Sequence, residues 1–253
     1  MYMPGSLPKN SLGTWISTGN SLILEAILEL GIYDWIALDL EHAAFTEPEI
    51  QNLFSICERF GANTFARLHG HDPLQGRKML DMGATGLIIP VVNTAEELDE
   101  LVDHFFYPPK GKRGVCLSRM NRYGDDFEKY FAEFKPLLVP QIESLQAVQN
   151  IEAICNRDYV SAVFLGPYDL SADLGCPGDF QAPAVIEALE TVKKVVLDSH
   201  ARLGMHVVQP DPEELEDKLN QGYGFMAYGT DIILLKSSLS SVSGLRERLL
   251  QAR

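Results

Sequence analysis

The sequence is short of most features that assign a function at sight. It contains four cysteines, Cys57, Cys116, Cys155 and Cys176, and no two of them form a CxxC pair. Zinc-ribbon and thioredoxin-like readings therefore lack their ligands, and scattered thiols suit a reducing compartment. No GxGxxG turn and no P-loop is present, which removes the usual dinucleotide and nucleoside triphosphate sites. No apolar run approaches the roughly 20 residues of a membrane span. The opening MYMPGSLPKN has no apolar h-region, so a secretory signal is not expected. Positive charge is scarce as well: 21 Lys and Arg stand against 35 Asp and Glu, a formal net charge of −14. That balance argues against a nucleic-acid surface and against anionic membranes. An anionic small molecule stays possible, because one arginine or a metal reverses the sign inside a single pocket. The expectation is a cytoplasmic protein acting on small molecules.

What is present is an ordinary globular balance, 46% hydrophobic and 22% charged. The 253 residues match the roughly 250 of a single (β/α)8 TIM barrel. Short apolar runs at 13–17, 33–39, 63–68, 85–90, 137–142, 160–165, 203–208 and 224–228 read as buried parallel strands. Amphipathic helical patterns fill the intervals at 20–30, 47–60, 73–82, 95–104, 145–156, 183–200 and 212–221, and a last helix spans about 231–251. Thr46 with Pro48, Asp72 with Pro73, and Asp211 with Pro212 mark helix starts. Gly31, Gly61 and Gly83 read as C-terminal caps. About eight βα units in a row indicate a closed barrel in one domain over 1–253, with a doubly wound open sheet as the alternative. One long irregular insert, 105–135, interrupts the series, and loops of that length are often functional.

In such a barrel chemistry sits at the C-terminal strand ends, which makes the sequence searchable. The second strand ends in Asp39, Leu40, Glu41 and His42, the third in Arg67, and the fifth in Gln141 and Glu143. The sixth runs into Gly166, Pro167, Tyr168 and Asp169. Glu143 and Asp169 are carboxylates at one level on successive strands. Two hard oxygen ligands, with waters and a chelating substrate, suit a divalent ion, although a helix cap or a solvated ion pair uses the same residues. Arg67 offers a fixed cation for a carboxylate or an enolate, or a salt bridge at the rim. His42 is the best-placed acid/base group, and Asp39 and Glu41 stand where they can tune it. His69 and His71 form an HxH, but His104 and His200 fall in helices and only His206 can join them from a strand, so a polar loop is the better reading.

At these positions the chain resembles the HpcH/HpaI family of class II, metal-dependent 2-oxo-acid aldolases. The resemblance is carried by LDLEHA (38–43), FARL (65–68), LDMGATGLIIP (80–90), YPPKGKRGV (107–115), PQIES (140–144), FLGPYDLSADLG (164–175) and AYGTD (227–231), in order and at strand ends. It implies an aldehyde-lyase that makes or breaks a 4-hydroxy-2-oxo acid, with pyruvate or a close analogue as enolate donor and an aldehyde as acceptor. Glu143 and Asp169 then match the ligands of Mg2+, Mn2+ or Co2+, and Arg67 the contact to the donor. His42 matches the base, and Asp81 its acidic partner reached across a subunit interface. Gln141 matches a residue beside the metal waters. The backbone at Gly166, Tyr168 and Asp169 matches the seat of the donor carboxylate. No Schiff base is needed, and no lysine stands at a strand end in the first six units. Family members are commonly hexamers, trimers of dimers.

Three departures stand out: a short N-terminus, Leu40 where a small residue is common, and CLSRMNRYG at 116–124. Arg119 and Arg122 in that last segment suit either an anionic acceptor aldehyde or a solvated loop. Two alternative readings are a biosynthetic condensing enzyme or acyl-CoA lyase of the same superfamily, and a non-catalytic barrel. A CoA enzyme wants a basic phosphate track, which the net charge does not advertise.

Overall fold

In the computed structural model, residues 7–240 and 242 are described. Eight parallel strands close into a barrel in chain order: β1 (Ser11–Ile16), β2 (Trp35–Asp39), β3 (Asn63–Arg67), β4 (Gly86–Ile89), β5 (Leu137–Ile142), β6 (Ala162–Leu165), β7 (Arg202–Val207) and β8 (Phe225–Thr230). Each expected strand is present, displaced at its ends by at most two residues. The open-sheet alternative is excluded by the pairing of β8 back onto β1.

The outer layer starts with α1 (Ser21–Leu28), α2 (Glu47–Phe60), α3 (Pro73–Met82) and α4 (Ala95–Phe105). The excursion at 105–135 is less irregular than expected, since it contains a 3-10 segment (Arg119–Gly124) and the helix α5 (Phe127–Glu133). The helix expected over 145–156 is two short ones, α6 (Leu145–Gln149) and α7 (Ile151–Cys155), broken at Asn150, which leaves the helical region at φ −102 and ψ 6. A short helix the sequence did not announce, α8 (Pro167–Asp173), opens directly on the end of β6. Then follow α9 (Pro183–Leu197), α10 (Pro212–Asn220) and α11 (Asp231–Ser240). The remainder of the expected last helix lies outside the described residues. Asp72 and Asp211 cap α3 and α10 through side-chain oxygens, as their spacing before proline suggested. Gly61 and Gly83 cap α2 and α3, whereas α1 ends at Glu29, two residues before Gly31.

Two cores hold this together. Apolar side chains between barrel and helices form the larger, including Leu38, Leu87, Ile142, Leu165 and Val207. The barrel interior is a separate cluster built on aromatics. Trp35 stacks on Phe225 with centroids 4.4 Å apart, and Phe65 meets both edge-on. Strand side chains alternate between these cores because successive residues point to opposite faces. The interior is filled, so ligands are confined to its mouth.

The seam where β8 meets β1 carries a bulge. The register slips between Gly13 and Trp15, and Gly229 takes up the turn at φ +64, a conformation that a Cβ would disfavour. Its carbonyl accepts from Thr14 Oγ1 at 3.2 Å and from His206 Nε2 at 2.9 Å. Two residues further on, buried Asp231 accepts the backbone N–H of Ser17 and Thr18, both at 3.1 Å, and both of their hydroxyls.

Candidate active site at the barrel mouth

The β2–β3 register sets Asp39 beside Arg67. Arg67 donates from Nε to Asp39 Oδ1 at 2.9 Å, and its Nη2 stands 2.7 Å from Oδ2, a two-point fork. Nε is also 3.3 Å from Glu41 Oε2, and the guanidinium lies 4.6 Å over the Trp15 ring. Asp39 Oδ1 further accepts the N–H groups of Glu41 and His42, each at 3.2 Å, which winds the turn after β2 onto that carboxylate. Asp39 and Glu41 thus engage Arg67 first. The tuning of His42 expected of them reduces to Glu41, whose Oε2 stands 3.8 Å from Nε2 of a histidine ring that is 67% exposed.

Across the mouth, Glu143 follows β5 and is buried. Its Oε1 accepts the Gln141 amide at 2.6 Å and its Oε2 the Val91 N–H at 2.9 Å. Val91 has φ +51, a costly conformation for a β-branched residue, and here it aims the backbone N–H at the carboxylate. Burial pushes the Glu143 carboxyl up to about 7. The Val91 hydrogen bond opposes that shift, Asp169 and Glu41 add to it, and Arg67 opposes it. Burial likewise raises Glu41, against the pull of Arg67 and His42. Among the described residues lining this pocket, Arg67 is the only Lys or Arg beside Asp39, Glu143 and Asp169. The mouth is short of positive charge.

Ile142 pairs with Leu165, so Glu143 and Gly166 leave the barrel side by side. Pro167 opens α8, where a missing N–H costs nothing. Tyr168 and Asp169 occupy the first turn, whose backbone N–H groups have no acceptor within the helix. Gln141 Oε1 is buried with no hydrogen-bond partner among the described residues.

The structure brings Arg67, Gln141, Glu143, Gly166, Tyr168 and Asp169 to one pocket; His42 is not among its lining residues and follows Asp39, which is. It does not bring Asp81 there. Asp81 lies at the C-terminal end of α3, a helix that runs away from the mouth, and it accepts from Arg113 Nη2 at 2.6 Å. The Arg113 side chain is fully buried, its guanidinium 4.7 Å over the Tyr107 ring. Arg122 is exposed and pairs with Asp126, as the solvated-loop reading has it, whereas Arg119 is largely buried and pairs with Glu58 of α2; neither lines this pocket. His71 Nε2 donates to Pro90 O at 3.0 Å, and the His69 backbone N–H is held by Gln75. No cluster of three or more His, Cys, Asp or Glu able to hold a metal forms among the described residues. No described helix is long and apolar enough to cross a membrane. The pocket residues without a role in the sequence reading include Trp15, stacked on Arg67, and His206, which the strand pattern had placed only as a possible barrel-facing group.

A (β/α)8 barrel with carboxylates from β5 and β6 facing one clamped arginine has the architecture of an enzyme that stabilises an anion at the strand ends. The family model for HpcH/HpaI aldolase/citrate lyase matches residues 11–237. The chain is 33% identical over 240 residues to a 2-keto-3-deoxy-L-rhamnonate aldolase of Klebsiella pneumoniae, covering 91% of this chain and 86% of that one. It resembles the crystal structure of an HpcH/HpaI aldolase from Desulfitobacterium hafniense with a TM-score of 0.85 and 29% identity, over 94% of this chain and 92% of that one. An HpcH/HpaI aldolase/citrate lyase family protein from Burkholderia cenocepacia gives a TM-score of 0.86 at 25% identity, over 94% and 95% of the two chains. The protein belongs to the HpcH/HpaI aldolase/citrate lyase family, and it is a carbon–carbon lyase.

Proposed function

We propose that the protein is a divalent-metal-dependent class II aldolase that cleaves and forms 4-hydroxy-2-oxo acids, with pyruvate or a close analogue as donor and an aldehyde as acceptor. One observation carries this reading: Glu143 and Asp169 crowd at the mouth with too little positive charge to balance them, opposite an arginine already oriented by Asp39. A divalent cation fits that deficit. Carboxylates are its preferred ligand type, and two protein oxygens leave room for waters and a chelating 2-oxo acid. When bound, such an ion supplies Lewis-acid stabilisation of the negative charge on an enolate oxygen.

The chain's own groups supply the remainder. Glu143 is fixed by Gln141 and Val91, so its direction is set before any ligand arrives. The guanidinium of Arg67, clamped through Nε and Nη2, faces the developing enolate as a preorganised cation. The backbone N–H groups of Tyr168 and Asp169, in the first turn of α8 and without an acceptor inside that helix, receive the donor carboxylate. His42 removes the C4 hydroxyl proton in the cleavage direction, through a water, and returns it in synthesis. Asp81 orients that histidine from a neighbouring copy, because within one chain it lies at the far end of α3. This reading requires a homo-oligomer, for which a trimer of dimers is the natural arrangement in this family.

The relatives named 2-keto-3-deoxy-L-rhamnonate aldolase suggest sugar-derived 2-oxo acids as first substrates to try. Purified protein loaded with Mg2+, Mn2+ or Co2+ should release pyruvate from a panel of 4-hydroxy-2-oxo acids, and EDTA should abolish the release. Metal-loaded protein that releases none from the whole panel is not such an aldolase.

A further inference from the structure

Arg113 is a buried cation with one anionic partner and no role in the chemistry above. Its side chain is fully buried, whereas that of Asp81 is 30% exposed. Nη2 donates to Asp81 Oδ1 at 2.6 Å, while Nε and Nη1 are buried without a hydrogen-bond partner among the described residues. Two aromatic faces confine the guanidinium, Tyr107 at 4.7 Å and Phe134 at 5.1 Å. Tyr107 in turn stacks on Phe131, and Phe134 on Tyr130, with centroids 4.9 and 4.8 Å apart. The backbone is anchored as well, since the Arg113 N–H donates to Phe106 O at 3.0 Å. Stability alone does not account for this arrangement. A buried ion pair is commonly no more stabilising than apolar side chains of the same volume, and here two N–H donors also go unpaired. Asp81 is the next-to-last residue of α3, where the helix dipole disfavours a negative charge. Arg113 offsets that penalty through Oδ1 alone. Asp81 Oδ2 makes no hydrogen bond among the described residues. The carboxylate is thus gripped by one oxygen and leaves the other available.

We propose that Arg113 is a positioning residue: through Oδ1 it fixes the Asp81 carboxylate so that Oδ2 meets the His42 ring of a neighbouring copy. The inference rests on the aldolase reading above and on Asp81 serving a neighbour. It adds that each active site depends on an arginine buried in the adjacent subunit, one that touches no reacting atom. The rigid aromatic setting of Arg113 is what such a task requires, because a supporting group sets geometry only if it is itself held.

The test uses Arg113→Met in metal-loaded protein. Taking away the buried member leaves the partly exposed Asp81 open to water, so the chain should fold, which thermal melts and metal titration check. For cleavage of a 4-hydroxy-2-oxo acid, kcat should fall about tenfold to a hundredfold, the scale of a displaced supporting group, with KM within about twofold. Adding Arg113→Met to Asp81→Asn should lower kcat no further, since both act through one carboxylate. Mixed oligomers separate positioning from a merely structural role. Arg113→Met chains co-expressed with His42→Ala chains should regain roughly a quarter of wild-type activity, because some sites then join an intact His42 to an intact Asp81–Arg113 pair. Mixed with Asp81→Asn chains they should regain nothing, since every Asp81–Arg113 pair is broken. The reverse pattern overturns the proposal and makes Arg113 a support of its own chain's site. Unchanged kcat in Arg113→Met, with recovery in a mixture of His42→Ala and Asp81→Asn chains, overturns this inference alone. No recovery in that mixture removes the neighbour reading and this inference with it, and no pyruvate release by the wild type removes the aldolase reading as well. If Arg113→Met does not fold, a crystal structure of the metal-loaded oligomer decides. Asp81 should bridge Arg113 and the partner subunit's His42, and an Asp81 turned away from Arg113 refutes the proposal.

Discussion

A methyl group on Gly166 would stand 2.6 Å from Cγ and 2.7 Å from Oε1 of Glu143. The glycine of the GPYD turn is thus the space that a carboxylate on the adjacent strand occupies. Gly166→Ala should displace Glu143 without unfolding the barrel, since Gly166 has ordinary negative φ. Expected are a loss of metal affinity of about tenfold or more, on the scale seen when groups that orient ligands are lost, and a melting temperature within a few degrees of wild type. Metal titration by calorimetry, with thermal melts alongside, checks both.

Arg67→Lys tests whether the fork matters or only the charge. An ammonium cannot make the two-point contact to Asp39 and also lie flat on Trp15. A decrease in kcat/KM of about 100-fold is expected, the usual scale for losing an oriented donor to an oxyanion. Retention of full activity would show that position, not shape, suffices.

How much of this was legible beforehand divides along a physical line. Strand order, the barrel and the pocket residues on β2, β3, β5 and β6 were readable because they depend on local periodicity and on one topological rule. Asp39 was misread as a partner of His42, because the two are close in sequence. The register that puts Asp39 against Arg67 is a property of paired strands and is invisible in either strand alone. The strained Val91 and the break at Asn150 depend on tertiary packing that overrides propensity. α8 was missed because GPYDLSAD opens with turn-forming residues. The proline at its first helical position was the available signal.

The placement of Asp81 yields a test of the oligomer. His42→Ala and Asp81→Asn should each lose cleavage while still binding metal. If Asp81 serves a neighbour's His42, co-expressed chains carrying one substitution each should regain activity, to roughly a quarter of wild type for random mixing across an isologous interface. No recovery from a confirmed mixed oligomer places both groups in one chain.

Asp81→Asn carries a second, separable cost. Arg113 is fully buried, and Asp81 is its acidic partner. Removing that charge leaves a guanidinium without compensation, so stability should fall by about 3 kcal/mol, the lower end for a broken buried pair because Asp81 is partly exposed. Urea unfolding measures it, and Asp81→Glu should recover part.

His206 makes the fold acid-sensitive in a defined window. Its pKa is depressed from 6.5 to about 4 on folding. The unfolded chain therefore binds the proton more readily, and stability present above pH 6.5 is lost as pH falls toward 4. Relative to His206→Leu, the wild type should lose about 3 kcal/mol between pH 7 and pH 4. Parallel unfolding curves for the two proteins would show that the histidine is not buried neutral.

Asp231 ties Ser17 and Thr18 to the end of β8, across 214 and 213 residues of sequence. During synthesis the first strand therefore waits through those 213 residues before its final partner emerges. Until then its open edge and the residues of the pocket wall stay exposed, the most costly kind of long-range closure. The same polar knot makes a poor place to cut. A circular permutant opened within 17–18 should fold slowly and aggregate, whereas one opened in the exposed turn at 177–179 keeps the seam intact.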